Sequence, residues 1–391
     1  MAAEPLRVGV DVTAVPARPA GAGVYTLELV RALARREDTA LRLLARRGDG
    51  PRWAACAPAA EVAATAPAAR PARLVWGELC LAAAATRGRS PASVLHCPHY
   101  TMPARPTVPV AVTVHDLTLV ERPAWHERSK VLVFRRALKV AAARAEAIIV
   151  PSRHTAERLV AAYDVAGAVR VIPHGVDHAR FTPTEPAPGA DRAALAALGL
   201  SRPYVVHLGT IEPRKDLATL VAAFDCLAGR RGDLELVLAG APGWGRRVLA
   251  AALRSARHRD RVRQLGYVPP AAVPALLRQA AAVAYPSLEE GFGLPALEAL
   301  ACGAPLVTTE GTAMAELAGE AAVLVPKADP GALADALELA TARDAAAERR
   351  RRAGLRKAAE HTWEACAAAH VEVFAELARG TRRRPAGSAG G

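Results

Sequence analysis

Short runs rich in valine, isoleucine and leucine alternate along this chain with longer alanine- and leucine-rich segments of helical period. That alternation is the pattern of βα units and parallel sheets. In the first half, strands are expected at 6–12, 41–44, 94–97, 108–114, 147–150 and 169–172, with helices over 23–36, 128–144 and 153–162. The segment Pro183-Thr-Glu-Pro-Ala-Pro-Gly189 then reads as a connection, because clustered proline and glycine punctuate regular structure. A second series follows, with strands expected at 204–208, 234–239, 262–265, 282–285, 306–308 and 322–325. The 391 residues suit two domains. The expectation is an α/β chain of two doubly wound, Rossmann-like domains facing a cleft, with 1–175 as the first and 176–362 as the second. Ligands of such sheets bind beyond the carboxyl ends of the strands, and the motifs below fall at those ends. The stretch 330–379 reads as helical. A new amphipathic segment begins at Trp363, with Val371, Phe374 and Leu377 on one face. It either caps the second domain or crosses back to pack on the first. Residues 380–391 read as a disordered tail.

The formal charge is +13, from 51 basic and 38 acidic residues. Such an excess can draw nucleic acid, anionic membrane or phosphorylated substrates, or it can be arginine scattered on solvated helix faces. Basic residues are not interleaved with aromatics and no zinc-finger spacing occurs, so a nucleic-acid partner is not expected. None of the six cysteines forms a Cys-x-x-Cys pair, which disfavours a structural zinc or a redox pair. Without a signal-peptide pattern or an apolar run of spanning length, the expected location is cytoplasmic, with the inner face of the cell membrane as an option.

The most informative string is Glu290-Gly-Phe-Gly-Leu-Pro-Ala-Leu-Glu298, directly after a strand ending Ala284-Tyr285. Gly291 and Gly293 permit tight turns, and Pro295 suits the first turn of a helix. A glycine-rich turn entering a helix presents unpaired N–H groups to an anion. Glu290 would lie on the turn and Glu298 one turn into the helix, so the two carboxylates could reach opposite ends of one ligand. Arg214 and Lys215 follow the first strand of the second half, where two cations can neutralise a diphosphate. Gly21-Ala-Gly23 opens a helix after the first strand, but it lacks the third glycine of the dinucleotide fingerprint. His115 and Asp116 end a buried-looking strand. The spacing His96-Cys97-Pro98-His99 is too tight for tetrahedral metal ligation. No Asp-x-Asp occurs, which argues against a metal-dependent sugar transferase.

These strings, together with Gly209-Thr-Ile-Glu-Pro-Arg-Lys-Asp216, Leu238-Ala-Gly-Ala-Pro-Gly-Trp244, Leu265-Gly-Tyr267-Val268, Ala301-Cys-Gly-Ala-Pro305 and Glu316-Leu-Ala-Gly-Glu-Ala-Ala322, resemble glycosyltransferase family 4 in order and spacing over nearly the whole chain. The resemblance implies a GT-B fold and retaining transfer from a nucleotide sugar, which is a substrate, so no cofactor and no metal are implied. It makes His115 and Glu290 the catalytic pair near the donor sugar. Gly23, Arg214 and Lys215 would face the diphosphate, Tyr267 and Val268 the base, and Glu298 the ribose. Gly291, Phe292, Gly293 and Leu294 would offer backbone amides. Two departures stand out: His174 precedes Gly175 where the family commonly has Asn, and Thr210 stands where many members carry Arg. The form of the Gly209 and His115 strings is similar to branches using GDP-mannose on surface polysaccharide or lipid-linked glycans, with a UDP-hexose donor as the alternative. A nucleotide-sugar epimerase on the same fold is a weaker rival. A phosphorylase has no matching cofactor lysine, and a catalytically dead sensor sits poorly with the intact acidic and basic residues.

Residues 128–144 carry a stripe of Val131, Phe134, Leu138 and Ala141, with Arg128, Lys130, Arg135, Arg136 and Lys139 elsewhere. This reads either as a basic amphipathic helix on an anionic bilayer or as a core helix with its cations in water.

Overall fold

The computed structural model describes residues 4–383. The chain divides into two compact units: residues up to Gly175 together with those from Trp363 onward, and Val176–Thr362.

The first unit holds seven strands: β1 (Leu6–Asp11), β2 (Thr39–Arg46), β3 (Glu61–Ala66), β4 (Val94–Cys97), β5 (Val110–Thr113), β6 (Ala147–Val150) and β7 (Ala168–Val171). They form one parallel sheet in the order β3-β2-β1-β4-β5-β6-β7. Val8 of β1 lies opposite Leu41 on one side and Val94 on the other. Strands β4, β5 and β6 are buried at every residue. A parallel sheet covered by helices on both faces needs such unbroken apolar runs, which is why they were legible in the sequence. The edge strand β3, Glu-Val-Ala-Ala-Thr-Ala, was not anticipated, because its alanines carry no strand signal.

The second unit holds β8 (Tyr204–Leu208), β9 (Glu235–Ala239), β10 (Val262–Gly266), β11 (Ala282–Tyr285), β12 (Leu306–Thr309) and β13 (Ala322–Val325), parallel and ordered β10-β9-β8-β11-β12-β13. In each sheet the winding reverses beside the first strand, at β1/β4 and at β8/β11. Those are the positions where open α/β sheets bind ligands.

The stretch 330–379 resolves into three helices, Pro330–Ala340, Ala345–Ala359 and Trp363–Arg383. Asp344 starts the middle one by accepting a hydrogen bond from the amide of Ala347. The last one belongs to the first unit, where Phe374 is fully buried. It runs through Arg383, past the expected start of the tail at 380, and residues 384–391 lie outside the described residues. Of the stripe on helix Arg128–Arg144, Leu138 and Ala141 are buried and Phe134 packs against the same core.

Candidate active site

In the second unit, two loops leave adjacent strand ends at the winding reversal. The first runs from β8 through Gly209 to a single turn of 3-10 helix, Pro213–Lys215. It ends at Asp216, whose left-handed backbone (φ 48°) and side chain cap helix Leu217–Arg230. The second runs from Tyr285 to Gly293, which starts helix Leu294–Ala301 at φ 100°. A side chain at Gly293 would also strike Met314, its Cβ lying 2.3 Å from Cγ, so both backbone and space demand glycine here. The two loops are tied by the amide of Leu288 donating to the carbonyl of Arg214 at 2.8 Å.

Between them lies a buried charge cluster. Lys215 Nζ donates to Glu290 Oε1, and Arg214 Nη1 meets Glu290 Oε2 at 2.5 Å. Arg214 Nε also donates to Glu212 at 2.7 Å, and Ser287 Oγ donates to Glu290 at 3.2 Å. Lys215 and Glu290 are each 7% exposed. Burial alone would raise the Glu290 carboxyl, but Arg214 and Lys215 outweigh it and hold it at about 2. Burial and the neighbouring Arg214 lower the Lys215 ammonium. The partly buried Glu298 has no such cation pair among the described residues. Burial lifts its carboxyl to about 7, with Arg180 opposing. Both acids lie near enough to the buried Tyr285 hydroxyl to raise it further beyond what burial does. Phe292 and Val268 are core side chains, at 6% and 5% exposure, so contacts from them to a ligand would have to come from their backbone; Tyr267 is half exposed.

His207, missed in the sequence, sits beneath this cluster. Its Nδ1–H donates to the Ala284 carbonyl at 2.9 Å, and its buried Nε2 has no hydrogen-bond partner among the described residues. Burial and the nearby Lys215 push it down to about 4, so it is a neutral ring with a lone pair at Nε2. A lone polar residue beside the carboxyl end of an otherwise apolar strand, Tyr-Val-Val-His-Leu, was the available signal.

In the first unit, Gly23 lies in the first turn of helix Ala22–Ala34, where an added Cβ would come within 3.1 Å of Pro19 and 3.3 Å of Pro16. His115 follows β5. Its Nε2–H donates to the Pro98 carbonyl at 2.8 Å, and burial lowers the ring against the opposing pull of that bond and of Asp116. Asp116 accepts from both the amide and the hydroxyl of Thr118, at 3.0 and 2.7 Å. The ring of Tyr25, which ends the Gly21-Ala-Gly-Val-Tyr25 string and is given no role by the sequence, stands edge-on to His115 at 5.1 Å.

The model of glycosyltransferase family 4 matches residues 19–180, and that of the group 1 glycosyl transferases matches residues 202–342. The chain is 28% identical to the O-antigen chain mannosyltransferase B of Escherichia coli over 286 residues, 72% of this chain and 74% of that protein. It is 35% identical to a D-inositol 3-phosphate glycosyltransferase of Xylanimonas cellulosilytica over 257 residues, 62% of this chain, and spans 59% of that relative's length. Its fold is similar to that of Anabaena HepE in complex with UDP and glucose, with a TM-score of 0.73 at 18% identity, covering 95% of this chain and 100% of the other. With both halves matched and the two parallel sheets in place, the chain belongs to the family 4 glycosyltransferases and has the GT-B fold.

Proposed function

We propose that this enzyme is a retaining, metal-independent transferase that moves a hexose, mannose from GDP-mannose, onto a glycan or a lipid-linked acceptor. The observation that carries the reading is the buried Arg214–Lys215–Glu290 cluster at the β8/β11 reversal. As the sugar leaves, negative charge grows on the departing diphosphate, and fixed cations in a water-poor site stabilise it. Arg214 offers a planar fork and Lys215 a point charge. Glu298 holds the ribose, the amides of 291–294 hold sugar and phosphate, and His115 and Glu290 contact the sugar. In the step itself the bond from the anomeric carbon to phosphate breaks. The acceptor oxygen bonds to the same face of that carbon, and its proton passes to the leaving phosphate. The mannosyl choice is supported by the name of the Escherichia coli relative. HepE, with its UDP and glucose, supports a UDP-hexose donor as the second reading. A binding screen of nucleotide sugars followed by product analysis tests both. GDP-mannose bound and mannose transferred is the expected result.

For the acceptor we place the enzyme on an anionic bilayer. On helix Arg128–Arg144 the cations Arg128, Arg135, Arg136 and Lys139 are exposed, as is Leu132 at 76%. Arg136 is tied to Glu78 of helix Arg70–Leu79, which brings the exposed Val75 and Leu79 beside them. Apolar side chains among cations suit anionic lipid. No helix among the described residues is long and apolar enough to cross a membrane.

A further inference from the structure

The first unit contains a chain of buried polar groups that the reading above does not use. His370, on the C-terminal helix, places Nδ1 2.8 Å from the carbonyl of Cys366. A carbonyl only accepts, so Nδ1 carries the hydrogen and Nε2 of the neutral ring is a lone pair. The Tyr25 hydroxyl, 2.8 Å from that Nε2, must then donate to it. Tyr25 oxygen in turn accepts from Thr113 Oγ1 at 3.0 Å, and Thr113 accepts from His96 Nε2–H at 2.9 Å. The direction of every bond follows from one carbonyl. The buried atom left over is His96 Nδ1, a lone pair without a partner among the described residues. The polarity makes this end atom an acceptor, and no described residue donates to it.

The chain joins β4, β5, the first helix and the last helix at Tyr25. The same residue's ring faces two further histidines. It stands edge-on to His115 at 5.1 Å and lies 4.4 Å from His174. His174 is stacked on Trp363 at 6.2 Å, and its ring lies 5.9 Å from His115. Tyr25 also closes the first turn after the glycine loop, its amide donating to the Gly21 carbonyl at 3.1 Å. One residue therefore holds the glycine loop through its amide, and meets the His115 ring and the C-terminal helix through its side chain.

We infer that Tyr25 is a positioning residue: its ring fixes the orientation of His115, and its hydroxyl anchors that ring to His370 of the C-terminal helix. This rests on the proposed role of His115 only for its effect on turnover. With Nε2–H committed to Pro98, His115 has Nδ1 left to accept a hydrogen bond from a substrate hydroxyl. The angle of that lone pair is set by what packs against the ring.

Long-range proton–nitrogen correlation spectra of the full chain test the wiring without any sugar. The expected tautomers are Nδ1–H for His370 and Nε2–H for His96 and His115; Nε2–H on His370 overturns the inference. Tyr25→Phe keeps the ring and removes the hydroxyl. It is expected to lower Tm and to shift the His370 and His96 resonances while leaving those of His115 in place. A Tyr25→Phe chain whose His115 resonances move as far as those of His370 contradicts the division of roles. Tyr25→Leu removes the ring. It is expected to move the His115 resonances and to lower kcat with GDP-mannose by about ten- to a hundredfold at unchanged KM. A folded Tyr25→Leu chain with a wild-type His115 spectrum overturns the proposal. Expected spectra with no turnover of any nucleotide sugar would count against the proposed function alone.

Discussion

Lys215 and Glu290, 75 positions apart in sequence, form a buried ion pair between the loops that leave β8 and β11. The carboxylate is shared with Arg214, so it neutralises the cations assigned to the diphosphate. An incoming diphosphate must therefore compete with Glu290 for both of them.

Glu290→Gln is expected to lower stability and abolish transfer. It keeps the shape but leaves two buried cations without their anion, and breaking a buried pair costs about 3–5 kcal/mol. Urea denaturation checks the first effect and product formation the second. Unchanged stability would mean that the pair contributes little in solution. Because the Glu290 carboxyl is held at about 2, below its ordinary 4.5, the stabilisation it provides is present above the ordinary value and is lost as pH falls toward about 2.

Glu298 behaves in the opposite sense. Its carboxyl is raised from 4.5 to about 7, so the folded chain holds this proton where the unfolded chain has released it. The stability it contributes is present below 4.5 and is lost as pH rises through about 7. Denaturation of wild type and Glu298→Gln across that window should show the fall in the wild type only. A parallel pH dependence in the two proteins would contradict the assignment.

Transfer is expected to persist in excess chelator, because the cations proposed to face the diphosphate are side chains. A complete loss, restored by a divalent metal, would place the enzyme in another mechanistic class.

Co-sedimentation with vesicles containing phosphatidylglycerol is expected at low salt and is expected to weaken at high salt. Each cation near the surface contributes about 1 kcal/mol, screened by salt. Leu132→Asp with Leu79→Asp should reduce it. Protein that stays in the supernatant at low salt would return helix Arg128–Arg144 to a purely packing role.

The alternating pattern was legible because buried parallel strands must be unbroken apolar runs: Ala147–Val150 and Ala282–Tyr285 were read to the residue. The helices Gly50–Cys56, Arg70–Leu79 and Leu81–Thr86 were not, since alanine- and arginine-rich segments of this length carry no decisive period. The loops bearing Arg214, Lys215 and Glu290 could be named from their strings. Their union into one cluster could not, because it depends on which strands become neighbours. Nor could the surroundings of His115: Tyr25 and His174 pack on its ring, and His174 is itself stacked on Trp363, from the far end of the sequence.

The most direct test of the donor site is calorimetry of GDP and UDP binding to the wild type, Lys215→Ala and Glu298→Ala. Loss of a charge-assisted contact should cost about 1.5–3 kcal/mol in each variant. The account predicts that the wild type binds at least one of the two nucleotides and that both variants bind it more weakly by this amount. A wild type that binds neither, or variants that bind as tightly as the wild type, would contradict it.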